Sequence, residues 1–174
     1  MKLRCDLHIN GGDRTVVLMP GISEKADHLA MKLAAYMLFW DREPIVSPSA
    51  KHSALLDQEF IPDMMAVDIT GALDLWIECG ATTMNKLDKV ARRFAHARIV
   101  VLTPTAREAK QLREDVVAKI ERAPRIEILA WDGAQFKEFA KTLAEKNEVY
   151  GEAGGHMINA VVNEHPLVCE FKAF

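Results

Sequence analysis

The sequence predicts a mixed α/β fold in which helices flank a mixed sheet. Three observations support this prediction. Two kinds of segment alternate along the chain. One kind has alternating apolar and polar residues, which is typical of strands, and the other has helical periodicity. Both ends of the chain are rich in short alternating segments separated by turn sequences, so we expect the two ends to supply the edges of the sheet. No internal repeat, low-complexity run or linker divides the 174 residues, so we predict one domain spanning residues 1–174.

The first half of the chain begins with a predicted hairpin. Its turn is Asn10-Gly11-Gly12-Asp13, which lies between two alternating segments. Ser23 is expected to cap the first helix, with Glu24 and Asp27 in its first turn, where the helix dipole favours negative charge. The predicted elements are strands at 2–9 and 14–19, a helix at 23–40, and strands at 44–47, 63–69 and 72–79.

Helices and strands also alternate in the second half of the chain. Thr82 or Thr83 is expected to cap the first of its helices. Turns are predicted at Gly151–Gly155 and Asn163–Pro166, within a group of small antiparallel strands that ends the chain. The predicted elements are a helix to residue 96, a strand at 98–103, a helix at 105–121, a strand at 125–131, a helix at 134–146 and short strands over 148–174.

The composition is that of a soluble globular protein, with 49% hydrophobic and 27% charged residues. A net charge of -3 and a pI near 6.1 argue against a protein that coats nucleic acid by bulk electrostatics. They leave room for a local basic patch beside an acidic site.

The cysteines and the N-terminus indicate a cytoplasmic protein. Cys5, Cys79 and Cys169 lie far apart inside apolar segments, which is typical of buried thiols in a reducing compartment. The N-terminus lacks the apolar core of a signal peptide, and no apolar run reaches transmembrane length. We therefore expect no membrane association.

One predicted strand carries acids among apolar residues. Because side chains alternate along a strand, Asp74, Trp76 and Glu78 are expected on one face, opposite a core face made by Leu73, Leu75, Ile77 and Cys79. Asp63 begins the preceding strand, so a hairpin brings it near Glu78. Two converging carboxylates raise the pKa of one of them or hold a divalent cation such as Mg²⁺ or Mn²⁺. The alternative is that Asp63 opens a turn and the other acids lie on a solvated sheet face.

This stretch resembles two related patterns. The dipeptide Pro62-Asp63, followed by the sequence ECG that begins at Glu78, resembles the PD-(D/E)XK nuclease motif. The element order over residues 23–103 is also the αβββαβ core of that superfamily. More closely, SEKADHLAMKLAAYMLF, DITGALDLWIECG and RIVVLT resemble the YaeQ family of small bacterial proteins. The resemblance implies a PD-(D/E)XK nuclease-like αβββαβ core with extra N- and C-terminal antiparallel strands.

The resemblance also implies roles for individual residues. Asp63 and Glu78 would bind Mg²⁺ or Mn²⁺, and Glu24 would be the auxiliary acid on the first helix. The superfamily has a lysine two residues after the second acid, where this chain has Gly80. Loss of such a charged group typically costs about 10²–10³ in rate.

The next helix offers replacements for the missing lysine. Lys86, Lys89, Arg93 and His96 follow one another at spacings of three or four residues and form one basic stripe. We predict that Lys89, or else Lys86, takes the catalytic role, and that Lys86, Lys89 and Arg93 bind a phosphate backbone. The alternative for each residue is a solvated basic helix face.

Three further residues are candidates for the same site. Asp68 lies in the hairpin and is expected either to bind turn amides or to reach the site. Asp74 and Trp76 share the predicted strand face with Glu78.

Three function classes remain open at this stage. The first is a metal-dependent nuclease or other phosphodiesterase. The second is a non-catalytic nuclease-fold protein that binds nucleic acid or a protein partner, which Gly80 favours. The third is a small-molecule or regulatory module without a link to nucleic acid.

Overall fold

The computed structural model describes residues 1–174, which form eleven strands and four α-helices. In chain order these are β1 (Leu3–Ile9), β2 (Gly12–Leu18), α1 (Ala26–Leu38), β3 (Ile45–Val46), β4 (Met64–Val67), β5 (Leu73–Cys79), α2 (Met84–Arg93), β6 (Arg98–Thr103), α3 (Ala106–Lys119), β7 (Ile126–Ala130), α4 (Gly133–Thr142), β8 (Lys146–Gly154), β9 (Met157–Val162), β10 (His165–Glu170) and β11 (Lys172–Ala173).

The larger sheet has six strands in the order β11-β7-β6-β5-β4-β3. Strands β5, β6 and β7 run parallel to one another, whereas β3, β4 and β11 pair antiparallel with their neighbours. The parallel strands are largely buried on both faces, as expected of strands covered by helices on both sides. Helices α2 and α3 follow β5 and β6, and their buried side chains form a core with one face of this sheet.

The chain ends build a second sheet instead of supplying both edges of one. Its order is β10-β9-β8-β1-β2, and β1 pairs with β2 as the predicted hairpin. On its other side β1 runs parallel to β8, which corrects the expectation of antiparallel strands only. Of the C-terminal strands, β11 alone joins the larger sheet, at its edge beside β7.

Helix α1 lies in the core between the two sheets. All ten of its residues from 29 to 38 are buried, together with the inward faces of β1 and β8 on one side and of β5 and β6 on the other. A helix that is apolar nearly all round is stable only in such an enclosed position. Trp131, Phe136 and Phe139, at the start of α4 and within it, extend the same core.

The start of α1 differs from the prediction. The helix begins at Ala26 with Lys25 at its N-cap position, and no side chain caps it. Ser23 is therefore not the cap, and Glu24 precedes the helix, so that Asp27 is the acid of its first turn. Glu24 instead pairs with Lys32, which lies on α1.

The two faces of β5 also differ from the prediction. Leu75, Ile77 and Cys79 pack against α1, whereas Leu73 packs on the opposite side with Trp76. A bulge in the β4–β5 pairing at Ala66/Val67 shifts the register near Leu73, which explains why simple alternation fails there.

The C-terminal ends of β5, β6 and β7 meet at one edge of the larger sheet, where α2, α3 and α4 begin. In open α/β sheets, ligands bind outside this edge. The three cysteines are free and buried, as predicted. No helix of the structure is both long and apolar enough to cross a membrane.

Candidate functional site

Asp63 and Glu78 lie at the same sheet edge. Met64 of β4 pairs with Ile77 of β5, which places the preceding Asp63 beside the end of β5. The Asp63 Oδ2 atom accepts a hydrogen bond of 2.8 Å from the backbone N–H of Cys79. The hairpin thus places Asp63 beside the end of β5, where its charge acts on Glu78, and the backbone of β5 fixes the orientation of Asp63.

Three residues from the α1 side complete the surroundings of Asp63. Glu24, His28 and Lys32 follow one another at intervals of four, so they face the same direction along the helix and the segment before it. His28 Nε2 lies 3.0 Å from Asp63 Oδ1. Lys32 Nζ donates to Glu24 Oε1 at 2.9 Å and lies 3.7 Å from Asp63 Oδ1.

Lys32 is the most deeply buried lysine at the site, with only 2% of its surface exposed. Its ammonium also donates to Ser47 Oγ at 3.2 Å. Neither His28 nor Lys32 was among the predicted site residues. The available signal was their spacing from Glu24, together with a lysine in a helix whose other residues from 29 to 38 are apolar.

The carboxyl groups of Asp63 and Glu24 are stabilised in the ionised form. Burial raises the pKa of Asp63, but the contacts with His28, the Cys79 N–H and Lys32 outweigh it and hold that pKa below its usual value. Burial likewise opposes ionisation of Glu24, and its hydrogen bond from Lys32 leaves its pKa lowered. Both groups therefore carry negative charge at neutral pH.

Glu78 has a different environment, because it is almost fully buried. Burial raises the pKa of Glu78, and the charge of Asp63 adds to this rise, while Lys86 and Trp76 act against it. Lys86 Nζ lies 2.7 Å from Glu78 Oε1, and the indole N–H of Trp76 donates to the same oxygen at 2.7 Å. Glu78 thus forms an ion pair with Lys86 and accepts a hydrogen bond from one neutral donor, the Trp76 indole.

Of the two candidate lysines on α2, Lys86 is the one that contacts Glu78. Lys89, the first of the two predicted replacements, instead pairs with Glu59 at 2.6 Å on the exposed surface. Lys86 also donates to the Ile61 carbonyl at 3.0 Å, because it lies nearer the start of α2 and faces the segment before Asp63. Arg93 is exposed at the end of α2, away from Glu78.

Gly80 occupies the position of the motif lysine in a conformation that suits glycine. Its φ is +84°, in the left-handed region where a side chain is strained, and its N–H donates to the Leu102 carbonyl at 2.7 Å. The chain turns here from β5 toward α2. Thr83 caps α2 by accepting a hydrogen bond from the Lys86 N–H, which sets the start of the helix that carries Lys86.

The remaining candidates lie outside the cluster. Asp68 accepts hydrogen bonds from the N–H groups of Thr70 and Ala72, so it shapes the β4–β5 turn. Asp74 pairs with Arg42. Asp74 lies four residues before Glu78 and hence about 13 Å from it along the strand. Trp76 is fully buried beneath α2, and only its indole N–H reaches Glu78.

Glu24, His28 and Asp63 form a group that fits a metal ion. One candidate ligand atom from each residue lies within 4.8 Å of the others. The Glu24 Oε2 atom is buried and has no hydrogen-bond partner. An orphaned carboxylate oxygen is costly in a protein interior, and a cation would satisfy it.

A cleft of about 910 Å³ opens beside this group, outside the C-terminal ends of the parallel strands. Glu24 and His28 form part of its wall, and the starts of α2, α3 and α4 surround it. Its lining includes both acidic and basic side chains, such as Asp27, Glu108, Lys25 and Lys137. Glu24 and His28 are therefore reachable from a space large enough for a small ligand or a nucleotide, whereas Asp63, Glu78 and Lys86 do not line this cleft.

Comparisons with known proteins bear on the chain as a whole. The fold is similar to the crystal structure of the YaeQ protein from Xanthomonas axonopodis pv. citri, at 17% identity and a TM-score of 0.75, over 99% of this chain and 96% of that one. It is also similar to the crystal structure of the YaeQ protein from Pseudomonas syringae, at 12% identity and a TM-score of 0.78, over 100% of this chain and 95% of that one.

The sequence comparisons identify the family. No curated protein is significantly similar to the chain. The family model described as YaeQ protein matches residues 13–152, well over half of the length. This protein therefore belongs to the YaeQ family.

Proposed function

We propose that this YaeQ-family chain is a divalent-metal-dependent phosphodiesterase of the PD-(D/E)XK nuclease type that acts on nucleic acid. The observation that carries the proposal is that Asp63 and the Glu78–Lys86 pair both lie at the end of β5, at one sheet edge. Glu24 joins Asp63 there from the α1 side. A purely structural protein has little need to bring three carboxyl groups to one place, because their mutual repulsion has to be offset.

The order of the elements supports the same proposal. From α1 to β6 the chain runs α1, β3, β4, β5, α2, β6, and β3 to β6 are neighbours in the sheet. This is the αβββαβ order that the sequence resemblance implies. Fold-level analogy does not establish activity, so the proposal depends on the chemistry of the site.

The acids would hold the cation. Asp63 offers an ionised carboxylate, and Glu24 offers an unpartnered oxygen. Glu78 would contribute once a ligand enters and its contact with Lys86 loosens. A bound divalent cation supplies a water of lowered pKa and neutralises charge on a phosphate.

The side chains around the acids would orient and neutralise the reacting groups. Lys86 would take the role of the motif lysine that Gly80 replaces. Its ammonium lies 2.7 Å from Glu78 and faces the same edge of the sheet. The Cys79 N–H keeps Asp63 in one orientation. Lys32 reduces the repulsion between Glu24 and Asp63 without occupying the cleft, because it is buried.

Nucleic acid is the proposed substrate class, because a basic helix borders the site. Lys86, Lys89 and Arg93 lie on α2, and the latter two are exposed. They would contact the phosphate backbone once the surface pair between Lys89 and Glu59 opens, which costs little in an exposed position.

Hydrolysis of nucleic acid tests the proposal. Single- and double-stranded DNA and RNA would be incubated with the wild type, Asp63→Asn and Asp13→Asn in Mn²⁺ or Mg²⁺. We expect metal-dependent cleavage by the wild type and Asp13→Asn, and a loss of about 10²-fold or more in Asp63→Asn. Asp13 is a matched control because it is exposed in the terminal sheet. Equal cleavage by all three proteins would reveal a contaminant and contradict the proposal.

One observation favours a second function, a non-catalytic protein of the same fold. Glu78 is only 3% exposed and is already neutralised by Lys86, while Gly80 replaces the motif lysine. Such a protein would use the basic helix and the cleft to bind nucleic acid or a protein partner. Binding of nucleic acid by the wild type without cleavage, and equally by Asp63→Asn, would support this alternative.

A further inference from the structure

We infer that His28 is a nitrogen ligand of the cation site, so that the site takes a first-row transition metal ion such as Mn²⁺ in preference to Mg²⁺. The inference rests on the proposed function for the presence of a divalent cation. It goes further in naming a ligand that carries no charge and in predicting which class of metal the chain selects.

The geometry places the imidazole at the point where the two carboxylates meet. His28 Nε2 is 3.0 Å from Asp63 Oδ1 and 3.9 Å from Glu24 Oε1. Neighbouring ligands of an octahedral ion, each about 2.1 Å from the metal, lie about 3 Å apart. The separation of the His28 and Asp63 atoms thus already matches a pair of adjacent ligands.

Glu24 supplies an independent indication of a missing partner. Its Oε1 atom accepts from Lys32, whereas its Oε2 atom is buried without any hydrogen bond. Buried polar atoms are nearly always satisfied, and leaving one unpaired costs about 1–3 kcal/mol. A cation held by Glu24 through this oxygen would satisfy it and leave the contact of Oε1 with Lys32 in place.

Lys32 also limits how strongly the site attracts cations by charge alone. Two ionised carboxylates and one ammonium leave a net charge of -1 beside the imidazole. Mg²⁺ binds mainly through charged and neutral oxygen atoms and dehydrates reluctantly. Imidazole nitrogen favours first-row transition ions, so a site with little net charge and one nitrogen ligand selects them.

His28 is also accessible, as a ligand of an exchangeable metal must be. Its side chain is 28% exposed and forms part of the wall of the 910 Å³ cleft. His28 is fixed on α1, Glu24 lies on the segment just before that helix, and Asp63 comes from the sheet edge at the start of β4. A bound ion would therefore connect α1 to the larger sheet.

Pulsed electron paramagnetic resonance on the full chain loaded with Mn²⁺ tests the inference directly. We expect modulation of the electron spin echo by a directly bound ¹⁴N nucleus in the wild type and in His96→Ala. His96 serves as the control because it is an exposed histidine that follows α2. His28→Ala should abolish it. His28→Gln keeps a similar size and provides a second variant whose folding is checked by circular dichroism.

Calorimetric titration with Mn²⁺ and with Mg²⁺ measures the selectivity. We expect Mn²⁺ to bind the wild type at least about tenfold more tightly than Mg²⁺. His28→Gln should weaken Mn²⁺ binding by about tenfold or more and Mg²⁺ binding by less than about threefold.

The outcomes separate this inference from the proposed function. Mn²⁺ bound without nitrogen modulation, and with an affinity equal to that of Mg²⁺, would overturn the role of His28 and leave a phosphodiesterase with an all-oxygen site. Nitrogen-ligated Mn²⁺ in a chain that cleaves no nucleic acid would support the inference and contradict the proposed function. A folded wild type that binds neither ion would overturn both.

Discussion

At the scale of single residues, the site depends on two buried ionisable groups that are matched with opposite charges. Lys32 and Glu78 are the charged side chains with the least exposure in the protein. The first is paired with Glu24 at 2.9 Å and the second with Lys86 at 2.7 Å. Removing one member of such a pair leaves the other charge buried and uncompensated, which costs more than the pair itself contributes.

Lys86 and Lys89 should therefore differ in their effect on stability. Lys86→Ala leaves Glu78 without its cation, and we expect it to lower the free energy of unfolding by about 2 kcal/mol. Lys89→Ala removes only an exposed pair and should change it by less than about 0.5 kcal/mol. Urea unfolding of both variants measures the two values. Equal losses would show that Glu78 does not depend on Lys86.

Asp63 should make the stability of the protein depend on pH. Its pKa is lowered in the folded state, so its stabilising contribution is present above the unfolded pKa of about 3.9 and is lost as the pH falls through the folded value. The advantage of the wild type over Asp63→Asn should therefore be constant near neutral pH and shrink below about pH 4. Urea unfolding between pH 3 and pH 7 measures it, and a gap that widens on acidification would contradict the assignment.

At the scale of elements, the site is set by the turn between β5 and α2. The turn needs the positive φ of Gly80, and Thr83 then starts α2 so that Lys86 faces Glu78. At its other end, the carbonyls of Ala91, Phe94 and Ala97 accept hydrogen bonds from the Arg125 guanidinium. Both ends of the helix that carries Lys86 are thus fixed to the larger sheet and its connections.

Restoring a lysine on the strand should be unfavourable for this reason. Gly80→Lys places a side chain at φ +84°, and we expect it to reduce the free energy of unfolding by about 1–2 kcal/mol. No atom lies within 4 Å of an added Cβ, so the cost comes from the backbone and not from a clash. Ala81→Lys, at the exposed neighbouring position, is the matched control and should change it by less than about 0.5 kcal/mol. Thermal unfolding distinguishes the two variants.

At the scale of the whole molecule, α1 connects the two sheets. A single cluster of 34 buried residues includes α1, the inner face of the terminal sheet and one face of the larger sheet. Because α1 also contributes His28 and Lys32, the core that joins the sheets positions one side of the candidate site.

A mutation in the middle of α1 should therefore affect both sheets together. Leu33 is fully buried in the shared core, and Leu33→Ala should lower the free energy of unfolding by about 2–5 kcal/mol through the cavity that it leaves. We expect wild type and variant each to unfold in one transition, with coincident curves from circular dichroism and from tryptophan fluorescence. Two separated transitions would contradict the prediction of a single domain over residues 1–174.

The elements of the fold were largely predictable from the sequence, whereas their long-range pairing was not. Segments such as 98–103 are short, apolar and bounded by turn signals, so local chemistry identifies them. The parallel pairing of β1 with β8 joins segments more than 130 residues apart, and alternation along each strand carries no information about its neighbour.

The same limit applies to the site. Asp63 and Glu78 could be placed together because a short hairpin joins their strands. Lys86 and Lys89 lie less than one helical turn apart, so only the direction in which α2 leaves Gly80 decides which of them meets Glu78. His28 and Lys32 were not predicted because sequence periodicity assigns α1 only one apolar side, whereas the helix is enclosed and its charged residues therefore require partners.

The most direct test of the central claim is a calorimetric titration of Mn²⁺ into the wild type and Asp63→Asn, because it requires no knowledge of the substrate. We expect saturable binding at one site in the wild type and a loss of at least about tenfold in affinity in the variant, which should remain folded. Absence of binding to the folded wild type, or equal binding by both proteins, would contradict a metal site at Asp63.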